Sequence, residues 1–395
     1  MLAGQRNRLI ESAPTHGVNE EMSKSSTHEA KGKASGDSIA PQMAASEDGE
    51  KKSETGVLYL GIDLGTSRTS VAASNGQRVT VSSHVGYPKD VVSRKLLKKD
   101  ILFGDEALSH RLSCRFYRPL AAGVLKLSNN KTDDVEGNLK AAADLIREII
   151  RQSRPRSDEL VYAVIGVPAQ AAIHHKDAIV KAAKESVDSV MLCSEPFSVA
   201  YGLDMLDDVL VIDIGAGTTD LCRMHGTMPE DSDQLTNTFA GDYVDNLLAE
   251  SVRKKHPEAQ FSIQMIKEIK ERYASVADNM VPVTIELPVN GKPTSFDITE
   301  EVRKACRSIV PPMVEGLGQL IATFDPEFQQ RLKNRVLLAG GGSQIKGLDI
   351  AIEQEMHKRL GSGKVLRIEE PVYGGANGAL KIAHDMPGEY WEKLK

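Results

Sequence analysis

Two short loops carry residue types suited to phosphate chemistry. The run "IDLGTS" at 62–67 and the run "IDIGAGTTD" at 212–220 each end an apolar strand in an Asp. Each then turns through glycine and short hydroxyl residues into a second apolar segment. Gly65, Gly215 and Gly217 let the backbone approach phosphate oxygens without a Cβ in the way. The successive N–H groups of such turns, including that of Ala216, form a concave anion site. Thr66, Ser67 and Thr218 add hydroxyl donors. Asp63 and Asp213 would repel a bare triphosphate, so the pair is expected to hold the waters of a Mg²⁺ ion, which keeps much of its hydration shell. One such loop is an ordinary β-hairpin turn. Two copies point to two similar halves facing one nucleotide.

A third cluster, "VLLAGGGS" at 336–343, runs a buried strand into Gly340, Gly341 and Gly342, where the backbone can lie flat against a planar ligand. Other candidates have plainer readings. Glu195, before Pro196, suits the first turn of a helix, where an acid complements the dipole and proline sits well. Lys270 and Glu271 read as a charge pair on an amphipathic helix. His174 and His175 are adjacent, so they do not share a helix face and make a poor metal pair. Tyr390 and Trp391 read as a packing anchor.

These residues must be positioned by layers of strand and helix. Apolar runs predict strands at about 57–63, 69–74, 78–83, 160–166, 190–193, 208–213, 219–224, 282–288 and 335–339. Helical periodicity appears near 137–152, 170–186, 196–203, 242–255, 262–277, 299–323, 345–359 and 374–385. Alternation over this length indicates an α/β fold. The stretch 87–118 is basic, with Lys89, Arg94, Lys95, Lys98 and Lys99, a charged loop that could meet an acidic partner. Residues 1–55 are rich in Ser, Ala, Glu, Lys and Gly with almost no aromatic or β-branched residues, and are expected to be a disordered tail. Met22 is a candidate true start, and the first ten residues form at best a weak amphipathic anchor.

Composition narrows the class. The chain has 395 residues, 41% hydrophobic and 26% charged, enough for a large core that splits into domains. A net charge of −6 argues against nucleic acid as the partner. The four cysteines, Cys114, Cys193, Cys222 and Cys306, are scattered, which argues against zinc and a disulfide framework and fits a reducing cytoplasm. No apolar run is long enough to insert across a bilayer, and a signal-peptide core is lacking.

The order hairpin, hairpin, triple glycine resembles the ATPase superfamily of actin, the seventy-kilodalton heat-shock chaperones and the sugar kinases, over roughly 57–390. "EIKERYASVA" at 268–277 resembles the adenine-flanking helix of actins, which puts Lys270 and Glu271 beside base and ribose. "AGDYVDNLL" at 240–248, with Gly241 and Asp245, is similar to the segment after the second hairpin in bacterial actins. "SEPFSVAYGLD" at 194–204 resembles the helix whose Glu aligns the attacking water, which makes Glu195 catalytic alongside Asp63 and Asp213. "GVPA" at 166–169 and "YGGANGAL" at 373–380 also fit. "VGYPKD" at 85–90, "SEPF" and the C-terminal "YW" together resemble the actin-like filament proteins of magnetotactic bacteria. The resemblance implies two actin-like halves, 56–196 and 197–370, with outer subdomains at about 87–118 and 249–330. It also implies C-terminal helices at 371–395 that return to the first half. The implied function is a cytoplasmic filament that binds Mg·ATP, hydrolyses it and positions magnetosomes, with itself and acidic magnetosome adaptors as partners. The sequence departs from eukaryotic actins where Ser70 replaces a phosphate-reaching Lys, and Arg68 beside it is expected to face outward. A kinase of the same fold would need an acceptor-binding insert with an Asp base, and none is evident. A chaperone would need a β-rich substrate domain and a helical lid after the ATPase, which 395 residues leave no room for. A plasmid-segregating or cell-shape actin remains an alternative role for the same fold.

Overall fold

The structure, a computed structural model, describes residues 56–120 and 134–395. The tail readings therefore lie outside the described residues. The chain begins with a meander of β1 (Gly56–Leu64), β2 (Arg68–Ala73) and β3 (Arg78–Ser82). A small three-stranded sheet follows, built from β4 (Val85–Pro88), β5 (Leu102–Phe103) and β6 (Cys114–Tyr117). Next come β7 (Glu159–Val167), β8 (Ser189–Ser194), β9 (Val209–Ile214), β10 (Thr219–Met224) and β11 (Gln234–Asn237). The hairpin β12 (Thr284–Val289) and β13 (Lys292–Asp297) precedes β14 (Val336–Ala339) and β15 (Val365–Arg367).

Two five-stranded sheets share one plan. The first runs β3-β2-β1-β7-β8 and the second β11-β10-β9-β14-β15. In each, the central strand pairs antiparallel with its hairpin partner and parallel with its other neighbour. Parallel neighbours need helical crossovers that cover both faces, which is why β1 and β9 read as continuous apolar runs. Register puts the two aspartates in equivalent places. Asp63 faces Ser70 across the first hairpin and Gly166 on β7, while Asp213 faces Asp220 and Ala339.

Two helices, Glu195–Gly202 and Gly374–Asp385, cross between the sheets. Phe197, Val199, Ala379 and Trp391 fill a core there with Val164 of the first sheet and Val211 of the second. The crossing is backbone on backbone: a Cβ at Gly378 would stand 1.7 Å from the Ser198 carbonyl oxygen. Trp391 anchors the C-terminal helix Gly388–Leu394, fully buried and stacked on Tyr162 at 5.0 Å.

Several expected elements differ in extent. The helix expected over 299–323 is two, Thr299–Arg307 and Val310–Ala322. Pro311 and Pro312 lack the N–H groups needed to continue the first helix and sit well at the start of the second. The helix expected to 277 ends at Tyr273, because Ser275 bridges to Lys346 and the Val276 N–H donates to the Lys346 carbonyl. The basic stretch after β4 is not all loop. Asp90 caps the helix Val91–Leu97 through the Ser93 N–H, and Gly104–Ser109 forms a second short helix.

Candidate functional site

The two hairpins and the glycine cluster border one cavity of about 470 Å³. Asp63, Gly65, Thr66, Ser67, Glu195, Asp213, Gly215, Ala216, Gly217, Thr218, Gly241, Lys270, Glu271 and Gly340, Gly341 and Gly342 all line it. Asp245 does not; it stands behind the wall. Lys270 Nζ lies 2.9 Å from Asp245 Oδ1 and donates to the Gly241 carbonyl at 3.0 Å. Asp245 therefore meets Lys270 from behind the cavity wall.

The hairpins are held as rigid turns. At Gly65 a Cβ would stand 2.5 Å from the Arg68 carbonyl oxygen. Ser83 Oγ donates to the Gly65 carbonyl at 2.6 Å and lies 2.9 Å from Thr69 Oγ1. In the second hairpin the Gly215 N–H donates to the Thr218 carbonyl at 2.9 Å. The helix Gly241–Lys255 opens against that hairpin, with the Gly241 N–H donating to the Gly215 carbonyl and the Asp242 N–H to the Ala216 carbonyl. Gly340 adopts φ +76°, and a Cβ there would stand 2.3 Å from Asp213 Oδ1. Only glycine lets this turn lie against the aspartate.

Asp63, Glu195 and Asp213 line the floor, and Asp220 is buried behind them. Burial raises Asp63 from 3.8 to about 7. Burial, then the charges of Asp63, Asp220 and Asp213, raises Glu195 well above the usual carboxylate range. Burial, then Asp63 and Asp220, raises Asp213 likewise. Asp220 is also raised by burial, although it accepts the Ala169 N–H at 2.8 Å and the Thr236 hydroxyl at 2.5 Å. Among the described residues no Lys, Arg or His forms an ion pair with Asp63, Glu195 or Asp213. Buried carboxylates without a cation of their own match a site completed by an external one. No three His, Cys, Asp or Glu side chains among the described residues converge to hold a metal directly. The donor set therefore fits a hydrated Mg²⁺ resting on Asp63 and Asp213, and phosphate oxygens would supply the remaining ligands.

Sequence reasoning missed three groups. Arg68 is exposed, as expected, yet it borders the cavity and pairs with Glu271 at 3.1 Å, so Glu271 is engaged by a side chain of the opposite wall. Lys267, one helical turn before Lys270, donates to Ser67 Oγ. Arg118 donates to the Thr66 carbonyl at 3.1 Å and to Asp242 at 2.9 Å. The spacing of Lys267 from Lys270 was a legible signal, since residues three apart share a helix face. Arg118 gave none. His174 and His175 sit at the start of the helix Ile173–Ala183, ring against ring at 4.1 Å, away from the cavity.

The profile of the MreB/Mbl protein family matches residues 58–387. The chain belongs to the MreB/Mbl family. Within this actin-like family it is 37% identical over 337 residues to the actin-like protein MamK of Paramagnetospirillum magneticum, covering 85% of this chain and 95% of that one. MamK of Magnetospirillum gryphiswaldense is 37% identical over 337 residues, covering 85% and 92%. Among solved structures, the MamK double helical filament matches with a TM-score of 0.79 at 37% identity, over 84% of this chain and 100% of that one. A non-polymerising MamK mutant bound to AMPPNP matches at 0.64 with the same identity and coverage. The actin-like fold expected from the sequence is thus the fold of the chain. Among the described residues no helix is long and apolar enough to cross a membrane.

Proposed function

We propose that this protein is a cytoskeletal ATPase that binds Mg·ATP between two actin-like halves, polymerises, and turns its filaments over by hydrolysis. The observation that supports it most is the duplicated hairpin with unpaired carboxylates between its copies. The halves are 56–196 and 197–370, with outer subdomains at about 87–118 and 249–330, and the segment 371–395 returns to the first half. The hairpin N–H groups and the hydroxyls of Thr66, Ser67 and Thr218 cradle the phosphates. Asp63 and Asp213 hold the waters of Mg²⁺, which neutralises charge on the phosphates when bound. Glu195 orients the attacking water, and burial with the neighbouring charges of Asp63, Asp220 and Asp213 holds its carboxyl well above the usual range. Gly340, Gly341 and Gly342 lie against the base, with Lys270 on the facing wall.

The relatives extend the reading to the cell. MamK forms a double helical filament, and end-to-end stacking is the assembly proposed for this chain, a heterologous contact that repeats into an open filament. Magnetosome positioning in the cytoplasm is the role proposed here, and acidic adaptors are the partners proposed for the basic stretch after β4. Sedimentation and electron microscopy with ATP, AMPPNP, ADP and no nucleotide test the assembly. A protein that stays monomeric at tens of micromolar in all four conditions, and hydrolyses ATP faster when a sugar is added, would be a kinase instead.

A further inference from the structure

The two phosphate hairpins belong to different sheets, so something must set the distance between them. Among the described residues one side chain touches the support of both. Arg118 follows β6 on the first side of the cleft. Its Nε donates to the Thr66 carbonyl of the first hairpin at 3.1 Å. Its Nη2 donates to the Asp242 carboxylate at 2.9 Å. Asp242 is the second residue of the helix Gly241–Lys255, and its own N–H donates to the Ala216 carbonyl of the second hairpin at 2.7 Å. A chain of three hydrogen bonds thus runs from Thr66 through Arg118 and Asp242 to Ala216.

Chemistry favours arginine in this place. The planar guanidinium carries donors in a fixed fork, so two acceptors held by it have a set separation. A lysine ammonium offers donors from a single point on a flexible stem and fixes no such spacing. The other cross-cleft contacts are weaker candidates for this task. Arg68 and Glu271 are side chains 44% and 36% exposed, a pair of the kind that contributes little. Lys267 reaches only the Ser67 hydroxyl on the first hairpin. Among the described residues, Arg118 alone grips main chain on the first hairpin and a residue hydrogen-bonded to main chain on the second.

We propose that Arg118 is a positioning residue that sets the register of the two phosphate hairpins, so that cleft closure brings Glu195 and both hairpins onto one nucleotide. It touches neither the phosphates nor the proposed water; it acts through the Thr66 carbonyl and Asp242. The inference rests on the ATPase reading above. Misplacing reacting groups by about 1 Å can cost on the order of a hundredfold in rate. Arg118→Ala is therefore expected to lower kcat for ATP by roughly ten- to a hundredfold. The KM for Mg·ATP should change by less than about threefold, because the phosphate donors themselves remain, and loss of one partner of this still partly exposed pair should leave the melting temperature nearly unchanged.

The test measures kcat, KM and melting for wild type, Arg118→Ala, Arg118→Lys, Asp242→Asn and the double variant Arg118→Ala/Asp242→Asn, all in the full chain. Support is a kcat loss in both single variants that the double variant does not multiply, little recovery with lysine, and intact melting. Three results would overturn the inference alone: wild-type kcat in Arg118→Ala, independent multiplying losses, or full recovery by lysine. If Arg118→Ala melts early, Asp242→Asn decides, because it keeps the volume and the N–H bond to Ala216; normal kcat there overturns the link. Wild-type protein that binds AMPPNP but hydrolyses no ATP would overturn the ATPase reading and this inference together.

Discussion

Replacing Asp63 with Asn should stabilise the nucleotide-free protein while disabling its site. The carboxyl is raised from 3.8 to about 7 by burial, and among the described residues no side chain of opposite charge pairs with it. A carboxyl with a folded pKa above its unfolded value binds more protons when folded, so stability falls as pH climbs from about 4 to 7 and stays low above that. The full shift would correspond to about 4 kcal/mol at pH 8. Asp63 still meets solvent along the cleft, so about half that, roughly 2 kcal/mol, is expected after screening. For a chain of this size each kcal/mol moves the melting temperature by about 1.5 °C, giving a rise of about 3 °C. The assay is a pair of melts without nucleotide at pH 8 and pH 4.5. The variant should gain at pH 8 and match wild type at pH 4.5. Adding Mg·ATP should stabilise wild type and leave the variant nearly unmoved. A variant less stable than wild type at pH 8, or a difference that ignores pH, would refute the view that unpaired charge is stored at this floor.

Three further outcomes follow from the same site and its supports. Glu195→Ala should slow hydrolysis by about 10²–10⁴ while ATP still binds, so filaments form and persist; normal disassembly with ATP alone would count against it. Binding of Mg·ATP near pH 7 should release protons from the raised carboxyls, seen as calorimetric heats that depend on buffer ionisation; heats independent of the buffer would contradict this. Gly378→Ala should cost about 3 kcal/mol or more, because its Cβ would overlap the Ser198 carbonyl; an unchanged melting curve would show that the two helices can part.

Much of the site was legible because its chemistry is local. A strand, an Asp, a glycine turn and a hydroxyl lie within a few positions, and both copies fell where the spacing put them. The Pro311–Pro312 break was equally visible in the residues, although the apolar periodicity running through it suggested one helix. Arg118 was invisible for a different reason. Its acceptors lie 52 and 124 positions away along the chain, and nothing in "FYRPL" distinguishes it from an ordinary surface arginine. The partner of Arg68 was hidden similarly, since Glu271 belongs to the opposite wall. Groups that act within one turn can be read from order alone; groups that act across a cleft need the fold.

The crossing of Glu195–Gly202 over Gly374–Asp385 has a mechanical meaning. Where two rods touch main chain to main chain, with Gly378 seated on the Ser198 carbonyl, sliding is blocked by hard contact while tilting is not. The crossing is then a pivot. A tilt that shifts the hairpins slightly sweeps the outer edges of the molecule through a longer arc, in proportion to their distance from the pivot. Glu195 starts one of the two rods, so the residue proposed to meet the water is fastened to the axle itself. The expected sign of such gearing is a filament repeat that differs between ATP-like and ADP states by more than the hairpins themselves move, and repeats of equal length in both states would argue that the pivot is locked.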